Sequence, residues 1–258
     1  MKVVILSGGF GTRIGEMTQY IPKPMIEIGS KPILWHIMKI YSYYGYNEFI
    51  ICAGYKQHII KDFFADYVLH NSDITFDFSG EGNIKIHKNF SEPWKVTVIN
   101  TGYETLTAGR VKKIQPYIGD DEDFLLTYGD GVSDVNINEL VKFHKSHGKI
   151  CTITGVQPEG RFGAMTLDGD RVLSFREKSK SDVPYINGGF MVMNKKFFDY
   201  IDGDYMLEGK PFNKIIQADE MRVYKHGGFW QCMDTIRDQR ILEELWRNKK
   251  APWKLWEG

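Results

Sequence analysis

The sequence has no excess of charge of either sign. Lysine plus arginine and aspartate plus glutamate number 33 each among 258 residues, so the formal net charge is zero. A general electrostatic grip on DNA, RNA or an anionic membrane is therefore not expected. Cysteine is sparse: Cys52, Cys151 and Cys232 are scattered, with no C-x-x-C pair. That excludes the usual zinc spacings and suits a reducing compartment. No run approaches the roughly 18 apolar residues of a membrane helix. The opening "MKVVIL" is too short for a signal h-region. A soluble cytoplasmic protein is expected. The seven histidines form no H-x-x-x-H or mixed His/Cys set, and His36, inside an apolar helix, reads as core. There is no internal repeat and no Pro/Gly/Ser-rich linker, so one domain over 1–258 is expected.

What is there is an alternation of buried strands and amphipathic helices. Val3–Leu6 is a continuous apolar, β-branched run, the pattern of a strand covered on both faces. The segment 32–44, "PILWHIMKIYSYY", has apolar residues at helical spacing, starts with proline and stops at Gly45. A strand "EFIICAG" and a helix "KQHIIKDFFADYVLH" follow. This order predicts a parallel sheet with helical crossovers. Residues 72–100 break the rhythm. "ITFDF", "NIKIH" and "KVTVIN" alternate apolar and polar residues around the turn signal "SGEGN", predicting a β-hairpin excursion and then an edge strand. A helix over roughly 107–118 comes next, then a buried strand "DFLLTYGDG" with a polar, glycine-rich tip. Helix "INELVKFHKSHG", strand "KICTITGV", a hairpin around Asp168-Gly169-Asp170 and strand "YINGGFMVMN" follow. Short helices "KKFFDYI" and "PFNKIIQA", strand "EMRVYKH" and helix "IRDQRILEELWRNKK" complete the chain.

After the first strand comes "SGGFGTRIGEMTQYIPKPM". Glycines behind a buried strand let the backbone approach phosphates closely. A dinucleotide fingerprint fails, because its third glycine falls on Ile14 and Pro22 and Pro24 interrupt any long helix. A Walker A pattern is absent. What remains is G-G-x-G-T-R and a lysine between two prolines. The Arg13 guanidinium suits phosphate oxygens, and Lys23 is a point charge on a stiffened backbone. The bland alternative is a tight turn with two solvated cations.

"SGGFGTR…PKPM", "YGDG" and "FREK" together resemble the sugar-phosphate nucleotidyltransferases, and the likeness runs over essentially the whole chain, through "FIICAGYK", "GRFGAM", "INGGF", "FWQCMDTIRD" and "KAPWKLWE". The resemblance implies a single Rossmann-like α/β domain with a mixed, mainly parallel central sheet. It implies that CTP and glucose 1-phosphate give CDP-glucose and pyrophosphate with Mg²⁺, in a homo-oligomeric enzyme feeding dideoxysugar synthesis for surface polysaccharide. Such a reaction joins two polyanions, so positioning and charge neutralisation carry the catalysis. The substrate phosphate is already an anion, so the lack of a Ser-His-Asp pattern is consistent.

The resemblance also assigns roles. Leu6, Ser7, Gly8, Gly9, Phe10, Gly11 and Thr12 would hold the nucleotide, with Gly129 opposite. Arg13 would grip the β,γ-phosphates, and Lys23 would sit nearer the reacting phosphates. Asp130 and Asp234 would hold Mg²⁺; more than a hundred residues apart, they meet only if the fold brings them together. Taken alone, Asp130 reads as a turn cap and Asp234 as the N-cap of the last helix. Glu177 and Lys178 would bind sugar hydroxyls and sugar phosphate, although Ser179 stands where the family has proline. Asn187, Gly188 and Gly189 lie in a strand. The two glycines admit either a close sugar ring or a β-bulge. Thr107 and Arg110 would meet base or phosphates near a helix N-terminus.

Overall fold

The computed structural model describes residues 1–80, 82–158, 163–168, 171–177 and 184–257. Seven strands form the central sheet: β1 (Val3–Ser7), β2 (Glu48–Ala53), β3 (Lys95–Asn100), β4 (Asp123–Tyr128), β5 (Cys151–Val156), β6 (Ile186–Asn194) and β7 (Met221–His226). Their spatial order is β7-β5-β6-β4-β1-β2-β3. Neighbours are parallel except at β6, which runs against both β4 and β5. The sheet is thus mixed and mainly parallel, and residues 95–100 form its edge, as the alternation predicts.

The continuous apolar runs follow from two covered faces. Val3 and Ile5 join one core while Val4 and Leu6 join the other; Phe49 and Ile51 divide from Ile50 and Cys52 in the same way. The first core packs α1 (Ile33–Tyr43), α2 (Gln57–Ala65), α4 (Ile137–His147) and α6 (Ile236–Arg247). The second packs α3 (Thr107–Lys113) and α5 (Lys210–Gln217). Helix α1 is buried almost all round, with Pro32 before it and Gly45 at φ 90° after it, the left-handed stop a helix end favours. Among the described residues no helix is long and apolar enough to cross a membrane.

Outside the sheet, Ser72–Asp77 and Asn83–Asn89 pair antiparallel as the expected excursion, with Phe76, Phe78 and Ile84 exposed. Gly163–Asp168 pairs with Arg171–Glu177. Three departures from the sequence reading appear. The helix expected over 56–70 breaks at Asp66, and that over 107–118 breaks at Ile114, ahead of Pro116. Residues 12–19 coil as 3₁₀ turns kinked at Gly15. Finally, Gly131–Ser133 pairs antiparallel with Trp230–Cys232, a three-residue ribbon too short to carry a periodic signal.

Candidate active site

The chain leaves β1 outward through β2 to β3, then returns to the other side of β1 at β4. Ligands bind in open α/β sheets at such a switch point, beyond the carboxyl ends of the strands. A cleft of about 420 Å³ opens there. Leu6–Thr12 forms one wall, Tyr128–Asp130 another and Tyr103–Thr107 a third, with Lys23 and Asp234 at one end. The ends of β1 and β4 nearly touch. The Gly129 amide donates to the Leu6 carbonyl at 2.9 Å, and a Cβ on Gly129 would stand 2.7 Å from Ser7 Oγ.

The three-residue ribbon brings the two distant aspartates together. Cys232 pairs with Gly131, and the Met233 amide donates to the Asp130 carbonyl at 2.8 Å. Asp130 and Asp234 therefore flank the same ribbon end. Lys23 Nζ bridges them, at 2.6 Å from Asp130 Oδ2 and 2.5 Å from Asp234 Oδ1. Lys23 is 9% exposed. Burial draws its pKa down, but the two carboxylates more than offset that and hold it above the ordinary lysine value. The neighbouring Cys232 thiol is pushed up to about 11 by burial and by Asp234, so it stays protonated.

The N-cap of α6 is Thr235, not Asp234. Thr235 Oγ1 accepts from the Asp238 amide at 3.2 Å, and Asp238 Oδ2 accepts from the Thr235 amide at 2.9 Å, a reciprocal capping box. The bland reading of Asp234 as a cap is thereby replaced: its neighbour closes the helix, and its own carboxylate reaches Lys23.

The glycine loop is fastened at both ends. The Tyr55 amide donates to Gly8 O at 3.2 Å, and the Tyr55 hydroxyl donates to Thr18 O at 3.0 Å. Lys56, at φ 47°, donates through Nζ to Gln19 O. The rings of Phe10, Tyr55 and Tyr103 cluster at the mouth, with centroids 4.9 to 5.8 Å apart. Thr18 Oγ1 donates to the carbonyls of Gly15 and Gly11 at 2.9 and 3.2 Å, rounding the loop. Ser7 Oγ is buried and has no hydrogen-bond partner among the described residues.

Arg110 and Thr107 line the cleft but have other engagements. Arg110 is buried and donates to Thr101 Oγ1 at 2.6 Å and to the carbonyls of Gly102 and Gly8 at 2.8 and 2.9 Å. Its fork pins the glycine loop to the 101–103 loop. Thr107 Oγ1 accepts from the Leu207 amide at 2.7 Å. The amides of Leu106 and Ala108 go to Asp204 Oδ1 and Tyr205 O, each at 2.9 Å, so two amides of this helix start are already engaged within the protein.

At the β6 side, the pairing with β5 shifts register between Ile153 and Gly155, opposite the segment that carries Gly188 and Gly189. A Cβ on Gly188 would stand 2.9 Å from Val156, and Gly189, at φ 84°, is roofed by the Tyr128 ring. The Tyr128 hydroxyl donates to Glu208 and accepts from Asn187 Nδ2 at 3.2 Å. Burial and the Glu208 carboxylate raise its pKa. Asn187 and Gly189 thus meet the cleft through Tyr128. The side chains of Arg13 and Glu177, and the whole of Lys178, lie outside the described residues. Tyr55, Tyr103 and Glu208 were not singled out from the sequence. The first two follow "ICAG" and "VINTG" at strand carboxyl ends, where the switch-point rule would have found them.

A family model described as nucleotidyl transferase matches residues 2–233. The chain belongs to the nucleotidyl transferase family. It is 52% identical over 258 residues to a glucose-1-phosphate cytidylyltransferase of Salmonella typhi, covering 100% of both chains. It is 45% identical to a probable glucose-1-phosphate cytidylyltransferase of Bacillus subtilis, covering 99% of this chain and 100% of that one. Among solved structures, a putative glucose-1-phosphate thymidylyltransferase of Bacillus anthracis superposes with a TM-score of 0.67 at 17% identity, over 96% of each chain, which speaks to the fold alone.

Nucleotidyl transferases generally use a divalent metal. The residues here fit one: two carboxylates converge on a point now held by an ammonium group. Magnesium typically takes one or two protein carboxylates and leaves its other positions to substrate phosphates and water. Among the described residues no three His, Cys, Asp or Glu form a fuller cage.

Proposed function

We propose that the protein transfers a cytidylyl group from CTP to glucose 1-phosphate, giving CDP-glucose and pyrophosphate. The observation that carries this reading is the convergence of Lys23, Asp130 and Asp234 at one end of a cleft walled by the glycine loop, in a chain 52% identical over its full length to a cytidylyltransferase. An oxygen of the sugar phosphate attacks the α-phosphorus. The bond from that phosphorus to the bridging oxygen breaks, and pyrophosphate leaves with the electron pair.

The loop Leu6–Thr12, with Gly129 opposite, holds the nucleotide, and the unpartnered Ser7 hydroxyl is available to it. Phe10 and Tyr103 offer ring faces at the mouth. Arg13 grips the outer phosphates, and Lys23 neutralises charge at the reacting ones. Asp130 and Asp234 hold Mg²⁺, which when bound neutralises phosphate charge. Glu177 and Lys178 serve the sugar phosphate, as does the Asn187–Gly189 segment, which meets the cleft through Tyr128. The enzyme works in the cytoplasm as a homo-oligomer. The exposed apolar residues of the 72–89 hairpin support self-association, since an isolated two-stranded hairpin is marginal in water.

Pyrophosphate release tests the reading. CTP, UTP, dTTP, ATP and GTP are crossed with glucose 1-phosphate and other sugar phosphates in the presence of Mg²⁺. CTP with glucose 1-phosphate is expected to exceed every other pair; a different leading pair overturns the named substrates. Lys23→Ala is expected to lower turnover by roughly 100-fold, as loss of a preorganised charge contact does.

A further inference from the structure

The Lys23 ammonium group stands where two carboxylates meet, donating to one oxygen of each. A divalent cation bound directly to the same two oxygens would have to occupy the same space, at about 2.1 Å from each. The two cannot share it, and a unit and a double positive charge a few ångströms apart repel each other. Displaced from the carboxylates, a buried ammonium group needs another anion.

The geometry supplies a direction for that move. Lys23 sits in a tight turn between Pro22 and Pro24, with backbone and stem buried. Its Cβ lies against the glycine loop: a Cβ on Gly11 would stand 3.0 Å from it. The root of the side chain is therefore fixed beside the cleft's phosphate-binding wall, while the head reaches the carboxylates. Rotation of the side chain alone moves the charge from one to the other.

We propose that Lys23 is the resident counter-ion of the Asp130–Asp234 pair, so that the free protein takes up a divalent cation only together with a nucleotide, whose phosphates receive the ammonium group as the cation takes the carboxylates. This rests on the nucleotidyl-transfer reading and adds an order of events to it. It explains why two carboxylates can face each other in the unliganded protein without mutual repulsion. It also makes metal and nucleotide binding mutually dependent.

The test is direct binding of Mn²⁺, read from the electron paramagnetic resonance of the free ion. With a non-hydrolysable CTP analogue present, the full-length protein is expected to bind Mn²⁺ at least about tenfold more tightly than either the protein or the analogue binds it alone. Lys23→Met is expected to bind Mn²⁺ at least about tenfold more tightly than the parent with no nucleotide present. Adding Asp130→Asn to that variant is expected to remove the gain. Equal affinity of the parent with and without the analogue overturns the proposal, as does a Lys23→Met protein that folds yet gains nothing. If Lys23→Met does not fold, the parent's nucleotide dependence decides alone. A different result sinks the underlying reading instead: Asp234→Asn leaving Mn²⁺ uptake with the analogue unchanged would take the carboxylate pair out of metal binding.

Discussion

Thr235 closes the last helix so that Asp234, one residue earlier, is left to reach Lys23 at 2.5 Å. Adjacent residues thus divide a structural task from a chemical one, and substitution separates them. Thr235→Ala is expected to cost about 1 kcal/mol of stability with turnover within about twofold of the parent. Asp234→Asn is expected to lower turnover by roughly 100-fold or more and to raise the Mg²⁺ requirement, with the melting temperature little changed. Thermal melts and pyrophosphate release on the two variants check this. An unchanged metal requirement in Asp234→Asn would remove it from metal binding.

Tyr55 holds the glycine loop at two points, Gly8 O and Thr18 O. Tyr55→Phe keeps the ring beside Phe10 and Tyr103 and removes one hydrogen bond, worth about 1 kcal/mol. The expected result is a KM for CTP raised about fivefold, with kcat within a factor of about two. Steady-state kinetics with CTP varied reads it. A change confined to kcat would assign Tyr55 to the chemical step.

Arg110 and Gly8 are coupled by space as well as by a hydrogen bond. A Cβ on Gly8 would lie 2.0 Å from Arg110 Nη1. Gly8→Ala is therefore expected to destabilise the fold by about 2 kcal/mol or more, and Arg110→Ala by about 3 kcal/mol through its unsatisfied carbonyls. The double variant is expected to be less destabilised than the sum, because the clash is gone. Urea denaturation of all four proteins completes the cycle, and simple additivity would refute the coupling.

His36 is buried among tryptophans, with Nε2–H donating to the Ile28 carbonyl at 2.8 Å. Burial pushes its pKa down to about 4, against an ordinary histidine value of about 6.5 in the unfolded chain. Below pH 6.5 the unfolded chain gains a proton that the folded one refuses. Stability is therefore full above about pH 6.5 and falls as pH drops towards 4, by about 3 kcal/mol in all. Burial lowers His144 and His147 too, adding to the fall. Urea midpoints between pH 7 and 4 should drop less steeply in His36→Asn than in the parent.

The sheet was legible because its strands are covered on both faces. Val3–Leu6 and Glu48–Ala53 read as continuous apolar runs for the same reason that they feed two cores. The glycine loop stood out as glycines behind a buried strand, whereas the roles of Lys23 and Asp130 came only with the resemblance, since taken alone Asp130 reads as a turn cap. The helix breaks at Asp66 and Ile114 were not, because the apolar period continues across them. Nor was the true cap at Thr235, since aspartate and threonine both cap well and only the backbone geometry chooses. The several acceptors of Arg110 come from three separate stretches of chain, at Gly8, Ala53 and the 101–103 loop, which no local pattern encodes.

The ribbon of Gly131–Ser133 and Trp230–Cys232 acts as a ruler. It sets the spacing of the two carboxylates by backbone pairing at one place, independent of the path the chain takes between them. Changes in the loops that join the intervening strands and helices can accumulate without detuning the pair. Those loops can diversify recognition while the chemical centre keeps its dimensions.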